Sequence, residues 1–254
     1  MIYLLLGGIC AVLGAGNGLG AATLLRPLLD AVSPLDPASV SLLCTAASLG
    51  AALVCAFFAL SQPIALHQDE LLFLAIGAVL GGISGDLIGA RFFSLLPERG
   101  SLLLQNALLF TLLALPAVYF SGLERTLPRL SITRMAVLPI SVLLGLAASF
   151  LSFGCVPLTL MGYRLLFDAT DEEANLASLA VALCAMAGKL ICALIRLKLN
   201  LPNADVLLWL LPGTLLGTLA AMIPGVQRSM PLSAQSLLRF SLFTAIINAA
   251  SALA

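Results

Sequence analysis

The sequence predicts an all-α, polytopic membrane protein, and three observations support this fold class. The chain of 254 residues is 61% hydrophobic and only 9% charged, whereas about 25% of the residues of a typical soluble domain are charged. Its mean hydropathy is +1.13. The apolar residues form runs of about 20 residues or more, the length that an α-helix needs to cross the hydrocarbon core. Short polar stretches separate these runs.

Eight apolar segments are expected, and none of the connections between them is long enough to hold a soluble domain. Their approximate bounds are 2–32, 38–60, 70–96, 102–120, 135–167, 174–197, 205–223 and 233–253. The first segment has no basic residue ahead of its apolar run, so we expect a retained span and not a cleaved signal peptide.

Composition and motifs argue against several classes of function. Twelve basic and twelve acidic residues cancel, and no basic patch indicates nucleic acid. The six cysteines form no CxxC pair, and no clustered carboxylates or histidines suggest a metal ion. The chain has no Walker motif for ATP, no GxSxG and no histidine within an apolar segment. We therefore expect no enzyme activity, cofactor or metal.

A glycine-rich stretch, GAGNGLGAATLLRP, interrupts the first segment. Its glycines and polar residue are Gly14, Gly16, Gly18, Gly20 and Asn17. Because each glycine costs a helix about 1 kcal/mol relative to alanine, a break is predicted here. In lipid, a break is tolerated only where it is buried in protein or lines a wet cavity. If the helix restarts near Gly18, its free N–H groups and dipole favour an anion in the gap.

The fifth segment, 135–167, is also longer than one crossing requires, and the sequence SFLSFGCVP predicts a second break in it. Pro157 suits the first turn of a new helix, where no N–H is needed. This leaves Ser152, Gly154 and Cys155 at the gap. Two breaks in corresponding positions of two halves indicate the substrate site of a transporter. We expect the two half-helix N-termini to converge on one anion.

The positions of the two breaks predict an internal repeat. A shift of 138 residues aligns Gly7 with Gly145, Gly16 with Gly154, Asn17 with Cys155, Arg26 with Arg164, Asp30 with Asp168, and Gly50 with Gly188. Further along, a shift of 136 aligns Asp69 with Asp205, Gly77 with Gly213, and Gly81 with Gly217. We predict two four-segment repeats, 1–122 and 135–254, joined by the loop 123–134. If the broken segments re-enter instead of crossing, the repeats are inverted and not parallel.

Three stretches of the first half, GLGAATLLRPLL, DPASV and GAVLGGISGDLIGARFFSLLPER, carry a family resemblance. They resemble the sulfite exporter TauE/SafE family, whose halves have a GxGGGxxxxPxL and a GxxxGxxxGxxLxxxLP stretch. The resemblance covers the chain as two repeats, with SFGCVPLTLMGYR as the second copy of the first stretch. It implies a carrier in the cytoplasmic (inner) membrane for small sulfur-containing anions such as sulfite, thiosulfate or organosulfonates.

Two charged residues lie well inside apolar segments and are candidates for function, because such charges are costly in a membrane. Lys189 is either a counter-charge for the substrate or a structural partner of Asp86. Asp86 is either a proton carrier or a structural partner of Arg91 or Lys189.

Two residue pairs follow from the alignment of the halves. Arg26 and Arg164 each carry a guanidinium fork that fits sulfite or a sulfonate, although both lie far enough beyond the breaks to reach the headgroups. Asn17 can donate to an anion or cap a half-helix. Cys155 can contact a sulfur substrate or act as a buried apolar residue.

These observations predict a secondary carrier that works by alternating access, with a hypothetical proton coupling through Asp86. An anion channel of the same architecture is the alternative. The expected partners are a small anion and the lipid bilayer, and a homo-oligomer is left open. The positive-inside rule does not decide the orientation, because basic loop residues divide nearly evenly. One side has Arg125, Arg129, Arg134, Arg196 and Lys198, and the other has Arg91, Arg99, Arg228 and Arg239.

Overall fold

The computed structural model describes residues 1–59, 66–128, 130, 132–197, 203–223, 226 and 233–253. Ten α-helices lie within these residues, and no strand does. They are α1 (Ile2–Gly16), α2 (Ala21–Val32), α3 (Pro37–Ala59), α4 (Gln68–Ser94), α5 (Glu98–Phe120), α6 (Val137–Leu151), α7 (Val156–Leu166), α8 (Asp171–Arg196), α9 (Ala204–Ala221) and α10 (Ala234–Leu253). Two 3-10 turns, Leu123–Arg125 and Arg134–Ala136, lie between α5 and α6.

Length and apolar composition make this an all-helical, multi-pass membrane protein. Six helical stretches in the described residues are long and apolar enough to cross a membrane: Pro37–Ala59, Gln68–Ser94, Arg99–Phe120, Arg134–Leu151, Asp171–Arg196 and Ala204–Ala221. Large apolar side chains such as Leu5, Phe57 and Phe243 are exposed on the outside of the bundle. Such an outer surface is suited to lipid, which solvates apolar groups and cannot satisfy polar backbone atoms.

Both predicted breaks are confirmed. In the first, α1 ends at Gly16 and α2 begins at Ala21, three residues after the predicted restart at Gly18. Gly18 and Gly20 have φ angles of 69° and 77°, a conformation that glycine adopts at little cost. The Gly14 carbonyl accepts hydrogen bonds from the N–H groups of Leu19 and Gly20 at 2.8 and 3.1 Å, so part of the backbone of the break is satisfied within the protein.

The second break, between α6 and α7, is built differently. Ser152 and Cys155 have φ angles of 57° and 54°, and Gly154 has a φ of 75°. A positive φ costs a residue with a side chain of the order of 1–3 kcal/mol, and such strain persists only where the surroundings impose it. α7 begins at Val156, and Pro157 lies in its first turn, as predicted.

Close contacts between glycines and carbonyl groups fix the relative directions of the helices. A Cβ atom on Gly213 would lie 2.3 Å from the Leu4 carbonyl oxygen, and one on Gly217 would lie 2.3 Å from that of Gly8. Because the residue numbers rise together, α1 and α9 run in the same direction. In lipid, where apolar side chains gain little by leaving the solvent, small residues permit this close packing.

The same type of contact joins α6 to α4. A Cβ atom on Gly81 would lie 2.2 Å from the Val142 carbonyl oxygen, and one on Gly85 would lie 2.6 Å from that of Leu146. These two helices therefore also run in the same direction.

Helix α2 runs against α1, so the first broken segment forms a hairpin. Three described side-chain contacts establish its direction: Ser241 Oγ donates to the Thr23 carbonyl, Asn248 Nδ2 donates to the Pro27 carbonyl, and Gln235 contacts the Phe120 carbonyl. The first two contacts make α2 parallel to α10. The third, with a contact between Asn248 and Asn106, makes α10 antiparallel to α5, so α2 is antiparallel to α5.

The direction of α5 relative to α1 follows from α3 and α9. α5 and α3 begin at the same end of the bundle, where Ser101 and Ser39 line one cavity. α3 runs in the same direction as α9, because Asn203 bonds Ser39 and Gly50 packs on Leu211 and Leu215. Since α9 is parallel to α1, α3 and α5 are also parallel to α1, and α2 is antiparallel to it.

Gly81→Ala is expected to lower the melting temperature of the detergent-purified protein, because the added methyl group collides with backbone. Overpacking of this kind costs about 1–3 kcal/mol. Gly162→Ala is the matched control, since a Cβ atom there has no neighbour within 4 Å and alanine favours a helix over glycine by up to about 1 kcal/mol. Equal melting temperatures for the two variants would contradict the packing of α4 on α6.

Candidate substrate site

A cavity of about 580 Å³ lies between α3, α4, α5, α6 and α8. Its polar lining comes from four of these helices and the residue before α3, and consists of Asp36, Ser39, Ser41, Asp86, Ser94, Ser101, Gln105, Lys189 and Arg196. Ligand sites are commonly concave, with mainly apolar walls and a few convergent polar groups. This cavity, which is also lined by Phe93, Leu96 and Phe150, has that character.

Lys189 lies on the wall of this cavity and is only 4% exposed. Its Nζ donates to Ser41 Oγ at 2.9 Å, to Ser152 Oγ at 2.6 Å and to the Ser149 carbonyl oxygen. The hydroxyl oxygens of Ser41 and Ser152 are themselves 2.6 Å apart. Since Ser152 is the first residue of the second break, the lysine joins this break to α3 and α8.

Among the described residues, the positive charge of Lys189 has no carboxylate partner. No carboxylate oxygen in this part of the chain lies within 4.0 Å of Nζ, and all three acceptors of its N–H groups are neutral oxygens. Taking an ammonium group out of water costs several kcal/mol. Asp36 and Asp86 line the same cavity, but neither lies within ion-pair distance of Nζ. A buried cation without an ion-pair partner in the described chain favours an anion beside it.

Asp86 also lines the cavity, and it pairs with Arg196. Arg196 Nη2 lies 3.2 Å from Oδ1 and 3.1 Å from Oδ2 of the carboxylate. The aspartate is 5% exposed, and the arginine side chain is 44% exposed. Arg91 and Lys189, the partners considered from the sequence, form no ion pair with Asp86 within the described residues. The packing of α4 on α8 places the last residue of α8 opposite Asp86 instead.

The two breaks lie against each other, next to a second cavity of about 160 Å³. A Cβ atom on Gly20 would lie 3.0 Å from Val156 Cγ2, and one on Gly154 would lie 3.2 Å from Ser48 Oγ. Gly20, which caps α2, and Val156, the first residue of α7, both line the smaller cavity. Its remaining lining is Ala15, Gly18, Ala21, Ser48, Ala51, Ala52, Cys55, Asn175, Ser178, Leu179 and Ala182.

Four predicted site residues at the breaks border neither of these cavities. Asn17 donates from Nδ2 to the Leu13 carbonyl at 2.9 Å, which satisfies the end of α1. Gly16 is the last residue of that helix. Cys155 is completely buried and immediately precedes α7, and Gly154 lies directly before it. These contacts agree with the structural alternatives for Asn17 and Cys155.

Arg26 is 2% exposed and is buried within the helix bundle. Its Nε pairs with Asp30 Oδ2 at 3.1 Å, and its Nη2 donates to Gln105 Oε1 at 2.5 Å. Gln105 lines the large cavity, whereas Arg26 does not. The arginine therefore acts on the cavity through the glutamine.

Arg164, the counterpart of Arg26 in the second half, lies in a different setting. It pairs with Glu124 at 3.0 Å and with Asp171 at 2.9 Å, and its guanidinium carbon is 5.6 Å from the centre of the Phe120 ring. These contacts tie α7 to the end of α5 and to the start of α8. Neither cavity is lined by Arg164.

Sequence reasoning did not select Arg196, Gln105 or Ser41 as site residues. A signal for Arg196 was available, because it follows Lys189 by seven residues and so lies on the same helix face. Gln105 and Ser41 face the cavity only through the packing of α5 and α3, which periodicity does not reveal. Of the basic residues used to judge orientation, Arg129, Lys198 and Arg228 lie outside the described residues.

Comparison of the chain with protein-family models, curated proteins and solved structures gives no match. The chemistry of the cavity is therefore the basis for a functional proposal.

Lys189→Met is expected to leave the melting temperature of the ligand-free protein unchanged or to raise it. The apolar side chain removes the cost of burying the ammonium group, several kcal/mol. This gain exceeds the loss of about 1–3 kcal/mol from leaving the Ser149 carbonyl oxygen without its donor, and Ser41 and Ser152 can still bond each other. Melting of the purified variant beside wild type and Arg91→Met, an exposed cation on α4, measures this. A large fall specific to Lys189→Met would show that the lysine is mainly structural.

Proposed function

We propose that this protein is a secondary transporter of small anions and that its substrate binds in the cavity of about 580 Å³. The observation that supports this most directly is Lys189, a buried cation on the cavity wall that has neutral acceptors and no carboxylate partner in the described chain. A structural lysine at such a depth is normally paired with an acid. Here the missing negative charge is supplied by the substrate.

The packing of the two halves supports an architecture of internal repeats. Adding 138 to Leu4 gives Val142, and adding 132 to Gly81 gives Gly213, so the contacts of α1 with α9 and of α6 with α4 correspond. The same two shifts relate the contacts of Gly50 with Leu211 and Leu215 to those of Gly188 with Val79 and Ile83. For α4 and α9 these contacts favour a shift of 132 over the expected 136, a difference of one helical turn.

The repeats are proposed to be inverted. In each half, a broken hairpin is followed by three longer helices, α3 to α5 and α8 to α10. The second hairpin is indicated by Ile132, shortly before α6, whose N–H donates to the carbonyl of Leu166 at the end of α7. An odd number of crossings places the start of the second half on the opposite side of the membrane. Inverted repeats with broken helices at their interface are characteristic of secondary transporters.

The positions of the two cavities favour a carrier over a channel. α3 and α8 run antiparallel: the large cavity lies beside Ser41 and Lys189, and the small one beside Ser48 and Ser178. The two spaces are separate and of unequal size, about 580 and 160 Å³. We interpret them as the open and closed ends of one path, with the lysine and the second break between them.

The proposed substrates are sulfite, thiosulfate and organosulfonates, and the proposed location is the inner membrane. Both follow from the resemblance of the glycine-rich stretches to the sulfite exporter TauE/SafE family. The positive charge at Lys189 is consistent with an anion of this kind. Coupling to protons through Asp86, which is ion-paired on the wall of the same cavity, completes the proposal.

Ligand-induced stabilisation tests the proposal with a series of anions measured side by side. Binding to the folded state adds RT ln(1 + [L]/Kd), about 2.7 kcal/mol at 100 times Kd. We expect sulfite, thiosulfate, taurine or sulfoacetate to raise the melting temperature of the purified protein, and Lys189→Met to abolish the increase. Sodium chloride at equal ionic strength corrects for salt.

Arg91→Met is the matched control, because it removes an exposed positive charge at the end of α4 that does not line the cavity. It should retain the full stabilisation. Stabilisation by no anion, or equal stabilisation of wild type and Lys189→Met, would contradict the proposed site.

A further inference from the structure

Arg196 has hydrogen-bonding capacity that the described residues do not use. Its contacts with Asp86 both come from Nη2. Within the described chain, no acceptor lies within hydrogen-bond distance of its Nε or Nη1. A guanidinium group has five N–H donors. Nη2 is held by the aspartate, whereas the donors at Nη1 and Nε are available. Since the side chain lines the large cavity, these donors are accessible to a substrate there.

Gln105 is held in one orientation by Arg26. Arginine can only donate hydrogen bonds, so the oxygen that faces Arg26 Nη2 at 2.5 Å is the amide carbonyl, Oε1. The NH2 group must then occupy the other side of the amide. No acceptor among the described residues lies within hydrogen-bond distance of Gln105 Nε2, and the residue lines the cavity. The glutamine therefore presents a donor to the cavity.

Lys189 differs from these two residues, because its three N–H groups already have acceptors in Ser41, Ser152 and the Ser149 carbonyl. It has no donor to spare in this conformation.

We infer that Arg196 and Gln105 are the residues that hydrogen-bond the oxygens of the substrate, and that Asp86 and Arg26 position them. This inference rests on the proposed function, since it assigns contacts within the same anion site. In this assignment Lys189 attracts the anion, the NH2 group at Nη1 of Arg196 donates to two of its oxygens, and the glutamine amide donates to a further oxygen. The three side chains come from α8 and α5 and meet only at the cavity.

The geometry of these donors favours a substrate class. The two N–H groups of Nη1 can donate to two oxygens on one atom, as Nη2 contacts the two oxygens of Asp86. Carboxylates, sulfite and sulfonates all offer two such oxygens. An additional amide donor is satisfied by a third oxygen, which a sulfonate or sulfite has and a carboxylate lacks. A monatomic anion can use neither the two N–H groups nor the third donor fully. The expected order of binding is therefore methanesulfonate, then acetate, then chloride.

Titration of the purified protein with methanesulfonate and acetate, two ions with one methyl group each, tests this assignment. Arg196→Lys keeps the charge and removes the NH2 group at Nη1, and we expect its Kd for methanesulfonate to rise about tenfold or more, as for the loss of a hydrogen bond to a charged group. Gln105→Met should weaken methanesulfonate binding while leaving acetate binding nearly unchanged, which lowers the ratio of the two affinities. Arg91→Lys, the same substitution at an exposed position outside the cavity, should bind both ions as wild type does.

The outcomes separate the inference from the proposed function. If wild type binds methanesulfonate, Lys189→Met does not, and Arg196→Lys and Gln105→Met bind with wild-type affinity and selectivity, the assignment of contacts is overturned while the anion site stands. If wild type binds neither ion, the proposed function and the inference both fail. A change in the affinity ratio for Gln105→Met is a readout that general destabilisation of the fold would not produce.

Discussion

The hydrogen bonds between Lys189 and the second helix break are the interaction on which the candidate site depends. The break exposes the Ser149 carbonyl and places Ser152 in a left-handed conformation. The Lys189 ammonium group donates hydrogen bonds to the Ser149 carbonyl oxygen and to the Ser152 hydroxyl. In return, the break gives a buried cation acceptors that do not neutralise it. The backbone defect and the buried charge are each unfavourable in a membrane, but together they form a positive site beside a cavity.

This arrangement requires helices that approach each other closely. Glycines on α4 and α9 lie against the carbonyl groups of α6 and α1, with no room for a Cβ atom. The broken segments are thereby fixed against long, continuous helices instead of against lipid. The pairs α1–α9 and α4–α6 thus each hold one broken segment, and the two breaks meet where Gly20 lies against Val156.

The sequence predicted the features that depend on local chemistry. The helix breaks, the position of Pro157 in the first turn of α7 and the burial of Lys189 follow from glycine, proline and charge within apolar runs. Partners were harder to predict, because they depend on which helix faces which: Asp86 pairs with Arg196, and Arg26 contacts Gln105. The alignment of α4 with α9 in the proposed repeat also depends on packing. Glycines are spaced by four residues in both helices, so shifts of 132 and 136 residues align these glycines equally well in sequence. Only the contacts distinguish the two shifts.

Counterflow in proteoliposomes tests the central claim, that an anion crosses the membrane through a site organised by Lys189. Vesicles loaded with unlabelled sulfite and diluted into a trace of radiolabelled sulfite should accumulate the label transiently if the protein is a carrier. Vesicles that contain the Lys189→Met variant should behave as protein-free vesicles do. Counterflow that is unaffected by Lys189→Met, or label that only equilibrates without accumulation, would contradict the account.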